Sequence, residues 1–426
     1  MRISGLMVEE KATPLQHFYE GANILITGGT GFLGKILLNK LFTSCPGIEN
    51  IYILIRKKNN KDVHTRAEEI FNDPIFNVMK KVAPKFRHQF QGIAGDCLLP
   101  DLGLSREDRK LLIQRVNIVF HMAATVRFDE KLKIAMQINV KAARDIMLLC
   151  SEMKHLKSVL HVSTAYTQCP LRQIDEKFYS PPSDSKNLIL LTECMPDKLL
   201  ESMTPVLLGK WPNTYTFTKA IAEDIIKMYG NKLPVGIFRP GIVISTYRDP
   251  VCGWIDNFYG PTGAIAGAGT GVIRTLRCDP RAVANMVPVD LCVNSIIAAA
   301  WDISQKHKLL NTYKKIHRFM RVIEYFSMRQ WDFQIDNVIN LWNRLSDKDK
   351  DIFFFDMTQL DWDLFLQQYF RGIRQYLLHD PLDTIPQALV RWNRLYWLHQ
   401  CIKLLVLLCS AHIIWLFFSK TLLKYN

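Results

Sequence analysis

The sequence predicts an α/β protein: a Rossmann-like, doubly wound parallel sheet, followed by a mostly helical C-terminal domain and a hydrophobic tail helix. Three observations carry that prediction. The stretch "NILITGGTGFLGKILLNKLF", Asn23 to Phe42, reads as a short apolar strand, a glycine turn and a helix. Apolar strand-like runs then recur at the spacing of βαβ units, with helical stretches between them. From about Leu309 the composition shifts, and the chain finishes on the almost wholly apolar "LLVLLCSAHIIWLFF", Leu404 to Phe418. At 426 residues the chain is too long for one compact core. The expected division is an N-terminal extension (1–20), a nucleotide-binding domain with its substrate region (21–305), a helical domain (306–400) and a hydrophobic segment (401–420).

The first strand is Ile24–Thr27. Gly28, Gly31 and Gly34 follow at three-residue spacing, and Gly29, Gly31 and Gly34 also satisfy GxGxxG. Glycines let the backbone approach a pyrophosphate, and the helix N-terminus that follows offers free N–H groups and a partial positive charge. Gly28, Thr30, Gly31, Phe32, Leu33 and Gly34 are therefore the candidate cofactor-binding residues of this turn. The next strand, "NIYILIR", ends at Arg56, followed by Lys57 and Lys58. An Asp or Glu usually stands at that strand end when the cofactor has a free ribose 2′-hydroxyl. Here the only nearby carboxylate, Glu49, lies at the wrong end. A guanidinium binds a 2′-phosphate that a carboxylate would repel, so the sequence predicts NADPH over NADH.

Further strands are expected at Phe90–Asp96, Val116–Ala124 and Ser158–Tyr166, with a helical stretch at Leu132–Cys150. In a doubly wound sheet ligands collect at the carboxyl ends of the strands. Asp96 and Ala123 fall there, as do Ser163 and Thr164. "YTFTKA", Tyr215–Ala220, places a tyrosine and a lysine at i and i+4, on one helix face. A neighbouring ammonium favours phenolate, which tunes the phenol for proton exchange. A hydride added to a carbonyl leaves an alkoxide that needs a proton. Tyr215 can supply it, Lys219 can also hold the cofactor ribose, and Ser163 or Thr164 can orient the carbonyl oxygen. YxxxK alone is common by chance; its value lies in following a glycine fingerprint and a Ser-Thr strand end in order.

Composition narrows the partners. Hydrophobic residues at 48% and charged residues at 22% describe a folded chain. A net charge of +14 favours polyanionic ligands, but no RNP-like, zinc-finger or helix-turn-helix pattern accompanies it, so no nucleic-acid partner is expected. The ten cysteines include no CxxC pair, as suits reduced, mostly buried thiols on a cytosol-facing protein. The N-terminus lacks the apolar core of a signal peptide. HExxH and GxSxG are missing, which removes zinc-hydrolase and serine-esterase readings.

At this point the sequence resembles the extended short-chain dehydrogenases/reductases and, more narrowly, is similar to the insect-type, alcohol-forming fatty acyl-CoA reductases. The residues that carry the likeness are "TGGTGFLGK" (Thr27–Lys35), "HMAATVRFDE" (His121–Glu130), "VSTAY" (Val162–Tyr166), "YTFTKAIAE" (Tyr215–Glu223), "GWIDNFYGPTG" (Gly253–Gly263) and "VPVD" (Val287–Asp290). "GIRQYLLHDPLDTIPQA" (Gly372–Ala388) and "LYWLH" (Leu395–His399) resemble that family's separate C-terminal, "male sterility" domain. The resemblance implies a reaction in which a long-chain fatty acyl-CoA and two NADPH give a fatty alcohol and free CoA. One hydride converts the thioester to an aldehyde and a second reduces the aldehyde, with Tyr215 as acid in both steps. The family carries a long stretch between its two domains. Here "NSIIAAAWDISQ" (Asn294–Gln305) runs almost straight into "KHKLLNTYKKIH" (Lys306–His317), so this chain is expected to lack the middle segment. Two other readings stay open: a sterol or sugar-nucleotide dehydrogenase of the same superfamily, and a catalytically silent membrane-bound variant.

In the second half, "RPGIVI", Arg239–Ile244, reads as a later strand. Gly260, Gly263, Gly267, Gly269 and Gly271 could let the backbone approach a pantetheine arm, or serve close packing. "NTYKKIHRFMRVIEYF" reads as a basic helix and Phe333–Leu345 as a core helix. "DKDKD", Asp347–Asp351, fails as a calcium loop, with Ile352 where glycine is required, and reads as a solvated helix start capped by Ser346. Leu404–Phe418 would span about 22 Å as a helix against a bilayer core of ~30 Å. It is marginal for crossing and adequate for shallow anchoring. The resemblance implies a membrane anchor on the endoplasmic reticulum or peroxisome, with the catalytic domain facing the cytosol.

Overall fold

The computed structural model describes residues 12–57, 61–231, 233–307, 326 and 328–422, with the backbone alone at 306–307 and 405–422. Six parallel strands form the central sheet: β1 (Asn23–Thr27), β2 (Asn50–Ile55), β3 (Phe90–Ala94), β4 (Ile118–His121), β5 (Ser158–Val162) and β7 (Val235–Phe238), in the order β3-β2-β1-β4-β5-β7. The order reverses between β1 and β4, so both strands deliver their carboxyl ends to one crevice. β1 and β5 are buried along their whole length, as helices on both faces require. One face is packed by α1 (Pro14–Tyr19), α2 (Phe32–Ser44) and the long helix Val289–His307; Tyr19 Oη donates to the Ile297 carbonyl across that layer at 2.8 Å. The other face carries the helices Ala142–Glu152 and Thr214–Tyr229. The expected helix Leu132–Cys150 is present, with a π-helical turn at Met136–Lys141.

The expected strands are shorter at their carboxyl ends. β5 stops at Val162 because Thr164 caps a 3-10 turn, its hydroxyl accepting from the Tyr166 N–H at 3.3 Å. "RPGIVI" is not one strand. β7 ends at Phe238, and Pro240 cannot donate to a ladder. The chain turns there and resumes as β8 (Ile242–Ile244), which leaves the main sheet to pair in parallel with β9 (Met286–Pro288).

The C-terminal region is joined to the first domain by strand pairing and by packing. β10 (Asp332–Phe333) pairs with β6 (Gln173–Ile174), and Trp331 Nε1 donates to the Cys169 carbonyl at 3.0 Å. The helix Trp362–Gly372 packs so closely on the loop at Gly253 that a Cβ on Gly372 would overlap the Gly253 carbonyl oxygen. Of the expected core helix Phe333–Leu345, Leu341 and Leu345 are buried while Ile335 and Ile339 are exposed. Ser346 caps the next helix by accepting from the Asp349 N–H at 3.2 Å, as expected, although Asp349 itself is buried rather than solvated. "NTYKKIHRFMRVIEYF" lies outside the described residues except for Phe326. The 306–400 domain therefore begins in a stretch whose side chains are not described.

A final helix, Ile385–Leu422, includes the apolar run Leu404–Phe418, whose side chains after Leu404 lie outside those described. Among the described residues no helix is long and apolar enough to cross a membrane. Among the nine described cysteines there is no disulfide; Cys45, Cys150, Cys169 and Cys292 are buried, fewer than expected.

Candidate active site

Elementary sterics shape the glycine turn. Gly28 has φ +80°, and a Cβ there would meet the Ala123 backbone nitrogen at 2.8 Å. A Cβ on Gly34 would overlap the Gly28 carbonyl oxygen. The turn is thus pressed against the end of β4, and Ala123 N–H donates to Thr27 Oγ1 at 3.2 Å. Gly31 caps α2 without a side chain, so the first N–H groups of that helix face the crevice unblocked by the protein. Thr30, Phe32 and Leu33 are half-buried around them. This backbone cradle fits the pyrophosphate of a dinucleotide. Lys35, one residue further, is held by Asp73 at 2.8 Å and Asp256 at 3.0 Å.

The β2 and β3 ends form the far wall. Arg56 is exposed, and Arg66 donates to its carbonyl. Asp96 accepts the Leu98 N–H at 3.0 Å. Arg56 and Asp96 both act electrostatically on Cys97, whose thiol burial pushes up to about 12. Lys58 lies outside the described residues.

On the opposite side, Asn213 caps the helix Thr214–Tyr229 by accepting from the Thr216 N–H at 2.9 Å, which fixes Tyr215 in its first turn. The structure brings Tyr215 to Thr164. Burial pushes the Tyr215 phenol up to about 12, and the Thr164 hydroxyl beside it pulls it partly back. Ser163 is turned the other way, its hydroxyl donating to Glu223 Oε1 at 2.7 Å. The two hydroxyls that the sequence left as alternatives are thereby distinguished: one meets the tyrosine and the other belongs to a buried ionic network.

Lys219 is 2% exposed and donates to the Val162 carbonyl at 2.7 Å. Burial lowers its pKa to about 8, and Glu223, the next residue on the same helix face, raises it again. Lys219 does not draw the phenol down as expected. Its ammonium is directed at the end of β5, and burial dominates at Tyr215. Glu223 is gripped by Arg239, with Nε–Oε1 2.9 Å and Nη2–Oε2 2.7 Å, while Arg239 also donates to the carbonyls of Asp175 and Lys177. Behind Lys219 stand two buried histidines whose rings are 5.1 Å apart. Burial and then Lys219 lower His121 to about 3, and the same two causes, with His121, push His161 well below its usual range, so both are neutral. His121 Nδ1 meets Thr27 Oγ1 at 2.7 Å, which ties the tyrosine side of the crevice to the glycine turn.

Several site residues escaped the sequence reading. Phe128 stacks on Tyr215, with centroids 5.9 Å apart and planes at 22°, and it touches Phe326, which packs on Tyr166. Glu223 stood in plain view four residues after Lys219, and that spacing was its signal. Arg239 carried none beyond its place in "RPG". The glycine run resolves into packing at two positions: a Cβ on Gly263 would overlap the Phe258 carbonyl oxygen and one on Gly267 would meet Ile273, while Gly269 and Gly271 face open space.

A glycine cradle at the sheet's switch point, with a phenol, a hydroxyl and a buried lysine across from it, defines a nicotinamide-dependent reductase with a Rossmann domain. The chain belongs to the male sterility protein family: the NAD-binding profile of that description matches residues 26–296, and a second profile of the same description matches 296–380. It is 39% identical to a Drosophila melanogaster protein named fatty acyl-CoA reductase wat, over 91% of this chain and 90% of that one. It is 35% identical to mouse fatty acyl-CoA reductase 1, over 89% of each. The terminal reductase domain of the myxalamid biosynthetic pathway shares the fold, with a TM-score of 0.58 at 17% identity over 84% of this chain and 91% of that domain. The Drosophila alignment runs over 466 residues, more than the 426 of this chain, so that relative carries residues with no counterpart here.

Proposed function

We propose that the chain reduces long-chain fatty acyl-CoA to fatty alcohol and CoA with NADPH, in two successive steps through an aldehyde. The observation that carries this is the meeting of Tyr215 and Thr164 in the crevice opposite the glycine cradle, in a chain so similar to fatty acyl-CoA reductases along nearly its whole length. The nicotinamide supplies the hydrides. Thr164 orients the carbonyl oxygen and Tyr215 donates a proton to it, a phenol near 12 being protonated throughout the neutral range. Lys219 keeps positive charge behind the phenol and, in this reading, holds the ribose. Phe128 and Phe326 exclude water from the phenol's outer face.

The test is expression in yeast with lipid alcohols measured. Long-chain alcohols absent from control cells are expected. A second reading, a silent cofactor-binding variant, is favoured by the residues that the Drosophila relative has and this chain lacks. It predicts NADPH binding with neither aldehyde nor alcohol formed, and it would replace the first on that result.

Arg56 supports NADPH over NADH, because it stands exposed just past the β2 end, where a ribose 2′-phosphate would lie, and is followed by Lys57 rather than by a carboxylate. Arg56→Glu is expected to weaken NADPH binding by roughly tenfold or more while leaving NADH nearly unchanged. Fluorescence titration with both cofactors checks it, and equal losses for the two would remove the assignment.

The helix Ile385–Leu422 supports a membrane-associated enzyme. Trp392, Trp397, Leu395 and Leu398 are exposed on it beside Arg391 and Arg394, a mixture suited to a headgroup boundary. We place it on the endoplasmic reticulum or peroxisome with the catalytic domain in the cytosol. Imaging of the tagged chain with and without residues 385–426 tests this.

A further inference from the structure

The glycine cradle accounts for one polyphosphate ligand, on the β1/β4 side of the crevice. A second cationic segment lies on the β5/β7 side. The connection from the glycine-rich helix Pro261–Gly269 to β9, residues 270–285, carries Arg274, Arg277 and Arg281 against a single carboxylate, Asp279. It is exposed at all three arginines. Arg281 meets Asp279 at 3.3 Å with nine-tenths of its side chain still in solvent, and Arg274 makes a 3.4 Å contact to the Gly271 carbonyl of its own loop.

The loop is anchored next to the reacting groups at its far end. The Asn285 carbonyl accepts the Ile242 N–H at 2.8 Å, and a Cβ on Gly241 would meet that same carbonyl oxygen at 2.5 Å. Ile242, held by that carbonyl, packs in the same cluster as Tyr166, whose N–H donates to the Thr164 hydroxyl beside Tyr215. At its near end, the Ile273 N–H donates to the Gly267 carbonyl at 2.9 Å. The arginines thus lie exposed on the connection that ends at Asn285, beside the Tyr166 cluster. A ligand whose reacting carbon sits at Tyr215, and whose opposite end carries phosphates, would lay those phosphates here and leave the cradle to the cofactor.

We propose that residues 270–285 form the docking site for the phosphate end of the thioester substrate, with Arg274 and Arg281 as its principal cations. This rests on the acyl-CoA reading and adds where the nucleotide end of CoA is held. The guanidiniums select for phosphate by charge and by paired N–H donors, and, being solvent-exposed, they act in a salt-dependent way.

The test measures binding of free CoA and of pantetheine, which lacks the phosphates, by calorimetry with the full chain saturated by NADPH. R274E/R281E replaces two exposed cations, and its unfolding temperature serves as the folding control. The expected result is CoA binding weakened by roughly tenfold or more, with a smaller dependence on salt, and pantetheine binding unchanged. Unchanged CoA binding overturns the proposal, and so does an equal loss for pantetheine. Sedimentation with phosphatidylcholine–phosphatidylserine vesicles is the third arm: loss of vesicle binding with CoA binding intact would assign the arginines to a lipid surface and overturn it too. Since binding is read without turnover, loop-dependent CoA binding in a chain that makes no alcohol or aldehyde would sink the reductase reading while leaving this site standing.

Discussion

Tyr215→Phe is expected to lower turnover with a long-chain acyl-CoA by about 10²- to 10⁴-fold, the range general-acid groups supply. NADPH affinity should stay within about threefold of the parent, since both groups proposed to anchor the cofactor, the glycine cradle and Lys219, are untouched. The substitution removes one oxygen. The ring remains, so the stack on Phe128 remains, and the helix start stays fixed by the Asn213 cap. What goes is the hydroxyl that meets Thr164 from the helix side. Steady-state kinetics and a cofactor titration on the same preparation separate the outcomes. Undiminished turnover would remove the acid role, and a large loss of NADPH binding would recast Tyr215 as a cofactor contact.

How far the sequence reached is set by which constraints are local. The glycine turn was legible because its demands fall within seven residues: a positive φ at Gly28 and close approach at Gly34 can be met only by glycine. The parallel sheet was legible because β1, β2, β4 and β5 are apolar enough to need cover on both faces. Strand ends were not, because Thr164 and Pro240 stop their strands through a cap and a missing donor that apolar patterning does not register. Charge states were not legible either. Adjacency on a helix predicted that Lys219 would lower the Tyr215 pKa, but burial, which depends on the whole fold, sets the direction at both residues, opposed by Thr164 at the one and Glu223 at the other. Phe326 and Trp331 come to the site through the β10–β6 pairing, a contact more than 150 residues long in sequence that no local pattern encodes.

Glu223→Gln is expected to be the most informative change outside the reacting groups. Glu223 is 3% exposed and accepts from Arg239 twice and from Ser163 once. Removing its charge leaves Arg239 with the Asp175 and Lys177 carbonyls and the weaker influence of Glu176, and breaking such a buried pair costs about 3–5 kcal/mol. Urea unfolding measures that. The second consequence is electrostatic. The charged and titratable groups around Lys219 are Glu223 on its own helix, Arg239 through Glu223, and His121 and His161 on β4 and β5; of these Glu223 alone favours the ammonium. In the proposed mechanism reduction needs that ammonium, so activity should fall as pH rises through about 8 in the parent, and the falling limb should move to lower pH in the variant. The sign for folding is opposite. A lysine whose folded pKa lies below its unfolded value binds fewer protons when folded, so its contribution to stability rises with pH between about 8 and the ordinary lysine range. The variant should therefore be less stable than the parent at pH 7 and recover part of the deficit as pH rises, while its activity does the reverse. A purely structural role for Glu223 would lower stability without moving the pH–rate profile, and that result would separate the ionic network from the chemistry.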